Sequence, residues 1–295
     1  MPTAAACRLV FRPALLLLLA LLGGAVAAAA QPALFATGFE WGDLGDWAGA
    51  VPARCDRLDA FGRGLTPAGE LHVAPGGSDT AGDGSPGAPF ATIGRAAQLA
   101  APGTAIRVHP GTYAGGIYLS DLAGTASAPI WIGGLPGAPR PVIAGGSEGL
   151  HLTRGRYLVI HDLEVRGAAA NGINADDGSA TNDPFASHHL TFHGLSVHDI
   201  GSGGNEDCLK LSGVNDFTVA GSEFTRCGGD DSGSGVDMVG CHRGTIARNR
   251  FHDLSANAVQ AKGGSAEIEI RANRLLDSGV RGFNLGGATG DPWFR

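Results

Sequence analysis

Long helical periodicity is nearly absent from this chain of 295 residues, which argues against a helical bundle or a helical repeat. Beyond residue 22 no apolar run approaches the roughly 20 residues of a bilayer-spanning helix, so no later segment is a membrane candidate. The five cysteines include no CxxC pair, and a zinc ribbon is excluded on that ground. Positive charge is in deficit, 21 Lys and Arg against 28 Asp and Glu, and the net charge of -7 disfavours nonspecific nucleic-acid binding. Glycine is plentiful at 49 residues but shows no G-X-Y period, so the glycines read as punctuation at strand ends and not as a collagen signature.

What the chain does contain is a repeat. Six segments share an apolar-polar-apolar triplet: Gly149-Leu150-His151-Leu152, Gly172-Ile173-Asn174-Ala175, Cys208-Leu209-Lys210-Leu211, Gly235-Val236-Asp237-Met238, Ala258-Val259-Gln260-Ala261 and Gly282-Phe283-Asn284-Leu285. Their starts lie 23, 36, 27, 23 and 24 residues apart. Period-two strands recurring at that interval predict an all-β solenoid in which coils stack at about 4.8 Å. The apolar members face the core, so His151, Asn174, Lys210, Asp237, Gln260 and Asn284 form a polar ladder on the outer face. Further strand pieces, such as Leu158 to Val165 and Thr245 to Phe251, supply the rest of each coil. Asn249 and Asn273 fall at one coil position and are expected to stack at a corner, satisfying backbone groups that the bend frees.

Residues 1–30 read as a secretory signal peptide: Arg8 and Arg12, an apolar run from Ala14 to Leu22, and Ala28-Ala29-Ala30 before Gln31. Export with cleavage is expected. It would change the charge to -9 and leave Cys55, Cys208, Cys227 and Cys241, which allow two disulfides in three connectivities. Residues 31–65 read as a leader or linker, and residues 66–295 as one solenoid domain, expected to be monomeric. An Ala-rich helix entered at Pro89-Phe90-Ala91-Thr92-Ile93 is predicted to cap its open end. At Trp293-Phe294-Arg295 no capping element is recognised, and the expectation is either a fragment or a last coil covered by something outside this sequence.

Chemistry concentrates on the ladder. Stacking brings Asp207, Asp230, Asp231 and Asp237 to adjacent coils, and carboxylates at that density suit a hard cation such as calcium. Lys210 shares a column with Asp237, which predicts an ion pair. Lys262 stands one column over, with Val239 and Gly286 on the flanking coils, and is expected to be the freer amine. Arg281 precedes the following strand and reaches the same region. His151, Asn174, Asp176, Gln260 and Asn284 are candidate substrate-binding residues. His198-Asp199 and His252-Asp253 recur at matched coil positions and read as a structural repeat. The insertion from Asp176 to Ser187, which leads to His188-His189, is expected to wall the groove beside the ladder.

The run from Leu71 to Tyr113, with its V-A-P-G-G-S-D start, P-F-x-T-I and H-P-G-T-Y, resembles the leading segment of secreted right-handed parallel β-helix proteins. Asp207, Asp230, Asp231, Asp237 and Gly282-Phe283-Asn284-Leu285-Gly286-Gly287 resemble the calcium and base motifs of the family nine polysaccharide lyases, the pectate lyase type; Asn284 stands where that family has lysine. The stretch Ala258-Val259-Gln260-Ala261-Lys262 followed by Ile270-Arg271-Ala272-Asn273 resembles the catalytic-lysine coil of family six, the alginate lyase and chondroitinase B type. That likeness implies Lys262 as base with Arg281 assisting. Together these resemblances imply β-elimination on an acidic polysaccharide with calcium. A glycoside hydrolase or a glycan-binding protein without catalysis remains an alternative reading of the same ladder.

Overall fold

The structure is a computed structural model that describes residues 61–180, 183–229 and 232–286. The expected signal peptide, most of the leader, Asp230, Asp231 and the end of the chain lie outside the described residues.

After the first strand, Gly69–Val73, each coil contributes one strand to each of three parallel sheets. Among the described residues, the ladder sheet stacks Ile117–Ser120, Leu150–Thr153, Ile173–Asp176, Leu209–Ser212, Ser234–Val239, Asn257–Lys262 and Arg281–Leu285 in that order. An eight-stranded sheet runs from Gly69–Val73 to Ala266–Arg271, and a third sheet of shorter strands runs from Thr112–Ala114 to Arg274–Leu276. Every strand pairs with the equivalent strand of the next coil. This is a parallel β-helix.

Alternation explains the packing. In Leu209–Ser212 and Ser234–Val239 the apolar members Leu209, Leu211, Val236 and Met238 are fully buried, while the residues between them point away from the core. Phe224 and Phe251 sit on paired strands and stack with ring centroids 5.3 Å apart. Replacing either by Ala would cost about 3 to 5 kcal/mol through lost burial and an unfilled cavity. The helix Ile93–Leu99 is short. Thr92 caps it by accepting from the Arg95 amide, and it buries Ile93 and Ala96 over the first coils, as the sequence predicts.

Corners turn on single left-handed residues. Asp162, Gly194, Gly221, Arg248 and Ala272, each with φ between 49° and 62°, lead from the eight-stranded sheet to the short-stranded one. For Arg248 and Ala272 that conformation costs about 1 to 2 kcal/mol. The asparagine ladder just beyond offsets this. Asn249 Oδ1 accepts the Ser222 amide at 3.0 Å, its Nδ2 donates to the Val219 carbonyl at 2.9 Å, and Asn273 repeats the arrangement by accepting the Asn249 amide at 2.9 Å.

Of the cysteines, Cys208 and Cys227 form a disulfide with Cα atoms 5.5 Å apart. Closing a loop of this length contributes about 3 kcal/mol in the chain-entropy account. Cys241 is a buried thiol pushed up to about 12 by desolvation, so it is chemically quiet. Cys55 lies outside the described residues. Phe61, which lies within the expected leader, packs its ring on Tyr157 at 5.2 Å, and its carbonyl accepts from Thr191 Oγ1.

Candidate functional site

The register places Tyr118, His151, Asn174, Lys210, Asp237, Gln260 and Asn284 in one column, each paired with the next. A second outward column runs Thr153, Asp176, Ser212, Val239, Lys262. Three residues before each ladder member a third column forms at the coil corner: Glu148, Asn171, Asp207, Ser234, Asn257, Arg281. Here side-chain oxygens accept backbone amides from the following coil. Asn171 Oδ1 accepts from Asp207 N at 3.0 Å, and Asp207 Oδ1 accepts from Ser234 N at 2.8 Å. Asp207 thus fills an asparagine-like position, and only its second oxygen does something an amide could not.

That oxygen faces Lys210. Lys210 Nζ donates to Asp207 Oδ2 at 3.4 Å and more closely to Asp237 Oδ2. Lys262 Nζ reaches the same Asp237 oxygen at 3.0 Å. Lys262 has no carboxylate directly above or below it, as its column predicts, but it gains one diagonally. Its four-carbon stem crosses to the adjacent column. Both aspartates are fully buried, whereas the lysine side chains keep 15% and 21% exposure. The formal charges balance, yet what meets solvent is cationic. Lys210 and Lys262 are also the only lysines in the sequence. A chain that uses arginine for nearly all its positive charge and places both its amines on one carboxylate is not using lysine for solubility.

Electrostatics separates the four groups. Burial, and next the neighbouring Asp237 charge, raise Asp207 well above the ordinary carboxylate range. Burial tends to lower Lys210, but Asp237 and Asp207 outweigh it and the amine is raised. Asp237 Oδ1 and Asn257 Oδ1 are buried without a hydrogen-bond partner among the described residues. Such unpaired oxygens are costly unless something else fills the site.

Two coils toward the N-terminus a second cluster surrounds His151. Its Nδ1 lies 2.6 Å from Glu148 Oε2 and its Nε2 2.5 Å from Asp176 Oδ2, with Asn174 Nδ2 at 3.1 Å. Tyr118 sets its ring edge-on to the imidazole at 4.9 Å.

A family profile described as "Right handed beta helix region" matches residues 146–295, just over half of the sequence. The chain belongs to this family. Solved structures with similar folds include an alginate lyase from Paenibacillus sp. str. FPU-7, 18% identical over 77% of this chain and 78% of that one with a TM-score of 0.46. Pectate lyase Pel9A is 19% identical over 68% of this chain and 54% of its own, with a TM-score of 0.38. A lacto-N-biosidase from Eubacterium ramulus is 13% identical over 70% and 56%, with a TM-score of 0.46. No curated protein matches the chain.

Within this right-handed β-helix the remaining candidates fall as follows. Gln260 and Asn284 are paired ladder residues, and Arg281 is exposed beside Asn257. Calcium does not fit the described part of its expected ligand set. The Lys210 ammonium already sits between Asp207 and Asp237, and no group of three or more His, Cys, Asp or Glu suits a metal among the described residues. His198 and His252 each contact the following aspartate at 2.6 Å on the short-stranded sheet, away from the ladder. The described end of the insertion after Asp176 lies against the eight-stranded sheet: Asn215 Nδ2 donates to the Pro184 carbonyl, and Phe185 stands edge-on to His188. Tyr118 and Glu148 were not singled out from sequence. The signal was there, since Gly116-Ile117-Tyr118-Leu119 is the same triplet one coil earlier, and Glu148 precedes His151 by the spacing that separates Asp207 from Lys210.

Proposed function

We propose that this β-helix acts on an acidic, uronate-containing polysaccharide laid along the ladder, and that it does so by β-elimination. One observation carries the reading: the only two lysines of the chain converge on one buried carboxylate at the middle of an outward-facing polar column. Uronate chemistry needs a fixed cation for the sugar carboxylate and a separate amine for the proton beside it. Lys210, clasped by two aspartates and raised, suits the fixed cation. Lys262, more exposed and bound by a single oxygen, suits the proton acceptor, with Arg281 on the next coil near the leaving sugar. In the proposed step the amine takes the C5 proton, the electron pair forms the C4–C5 double bond, the C4–O bond breaks, and the departing sugar oxygen takes a proton from water. The carboxylates Asp207 and Asp237 are buried and ion-paired, which makes them poor candidates for a hydrolase acid and nucleophile.

A binding role without catalysis is favoured by one feature. Lys262 Nζ already contacts the buried Asp237 carboxylate at 3.0 Å, which holds it back from a substrate proton. Incubation with polygalacturonate, alginate and chondroitin, followed by ultraviolet absorbance of unsaturated products, separates the two. Rising absorbance that is abolished in Lys262→Ala and persists in EDTA supports elimination without calcium. Saturable binding with flat absorbance on all three polymers overturns it in favour of a binder. We also propose export, on the strength of the first thirty residues. Among the described residues no helix is long and apolar enough to cross a membrane.

A further inference from the structure

The column that carries the lysines changes character toward its N-terminal end. Tyr118 stands three strand spacings from Lys210, roughly 14 Å along the axis. It is 59% exposed, held edge-on by His151, and it forms the lip of a cleft of about 420 Å³. The cleft lies between the first turn of the capping helix and the bend joining Thr112–Ala114 to Ile117–Ser120. Pro75, Thr92, Gly94, Gly115 and Gly116 are among its walls, and no charged side chain lines it.

Two features show that the cleft is maintained by the packing. Gly115 closes its floor, since a Cβ there would come within 1.8 Å of the Gly145 carbonyl oxygen on the next coil. On the opposite wall a Cβ at Gly94 would meet nothing nearer than Thr92 Oγ1 at 4.0 Å, so the space in front of it is open. The contrast in charge is as informative as the shape. Lys210 and Lys262 offer cations to the groove at one end, whereas at the other Glu148 and Asp176 are engaged by His151 and what remains is an aromatic ring beside an uncharged hollow. A uronate finds no counter-charge among the residues that line the hollow. The C–H face of a neutral pyranose, by contrast, gains from packing on a phenol ring while its hydroxyls stay wet at the open side.

We propose that this cleft is a subsite for an uncharged sugar, so that the chain takes a polysaccharide in which neutral sugars are interspersed with uronates, in preference to a homopolyuronate. The proposal rests on the reading of the ladder as a uronate site. Its test is titration calorimetry of the full chain with polygalacturonate and with two mixed polymers, rhamnogalacturonan and deacylated gellan, using wild type, Gly94→Phe and Tyr118→Ala. Gly94→Phe fills the cleft from a position with room for the side chain, and its thermal unfolding is measured alongside to verify the fold. The expected result is a mixed polymer bound about ten-fold more tightly than polygalacturonate, with that margin lost in both variants. Equal affinity for all three polymers, or a margin that survives Gly94→Phe, overturns the subsite while leaving the uronate reading intact. If none of the three binds wild type, the uronate reading itself falls and the subsite with it.

Discussion

Two ladders of stacked side chains run along this β-helix at different coil corners, and they differ in whether their hydrogen bonds close. At the corner after the eight-stranded sheet, Ser222, Asn249 and Asn273 hand amides and carbonyls from coil to coil, and Asn249 engages both its oxygen and its nitrogen. At the corner before the ladder sheet, Asn171, Asp207, Ser234 and Asn257 begin the same arrangement and do not finish it. Asn257 Nδ2 donates to Ser234 Oγ, but among the described residues Asn257 Oδ1 has no partner, and neither does Asp237 Oδ1 three residues after Ser234. A closed ladder is a device for folding. An open one, in which aspartate replaces asparagine and faces a lysine, places charge where the fold itself has no need of it.

The contrast breaks most visibly at Lys210. Lys210→Met leaves Asp207 and Asp237 buried with one ammonium between them, and a loss of about 3 kcal/mol in urea unfolding is expected. The double variant Lys210→Met, Asp207→Asn should recover most of that, because Asp237 then keeps Lys262 at 3.0 Å and no buried carboxylate is left without a cation. Asn249→Ala tests the closed ladder. It strands the Ser222 amide and the Val219 carbonyl, and about 2 kcal/mol of stability is expected to go, with polymer binding unchanged. Asp207→Asn is the sharpest comparison and the smallest effect, within about 1 kcal/mol, because the amide oxygen keeps the bond from Ser234. Its signature is in pH. A carboxyl raised in the folded state binds more protons folded than unfolded, so wild-type stability declines as pH rises from the ordinary value of 3.8 to about 7. That decline should disappear in Asp207→Asn. Selective lysine labelling offers a direct view, since the spectrum contains only two side-chain amines, and Lys210 should titrate above the ordinary lysine value in wild type.

The coil repeat was legible because side-chain alternation is a property of the backbone, and a triplet such as Leu209-Lys210-Leu211 states its facing without reference to anything distant. Column membership followed from it, and so did the Lys210 and Asp237 pair. The reach of Lys262 did not. A diagonal contact depends on rotamers and on the small twist between strands, which no one-dimensional alignment of coils encodes. Nor was the complete burial of Asp237 readable, because outward-facing and solvent-exposed coincide only where neighbouring side chains are short. Left-handed Arg248 and Ala272 gave no local sign either. Glycine announces a corner, and these residues are held in one by the asparagine that follows.

The scarcity of amines has a practical consequence. Apart from the α-amino group, any reagent that seeks primary amines, whether a coupling resin, a fluorophore ester or the reducing end of a sugar, finds only Lys210 and Lys262. Attachment to a surface through a side-chain amine would tether the protein by its own groove, and any lysine that glycation in a sugar-rich medium modified would be one of the site. For this protein, labels and anchors belong on carboxylates.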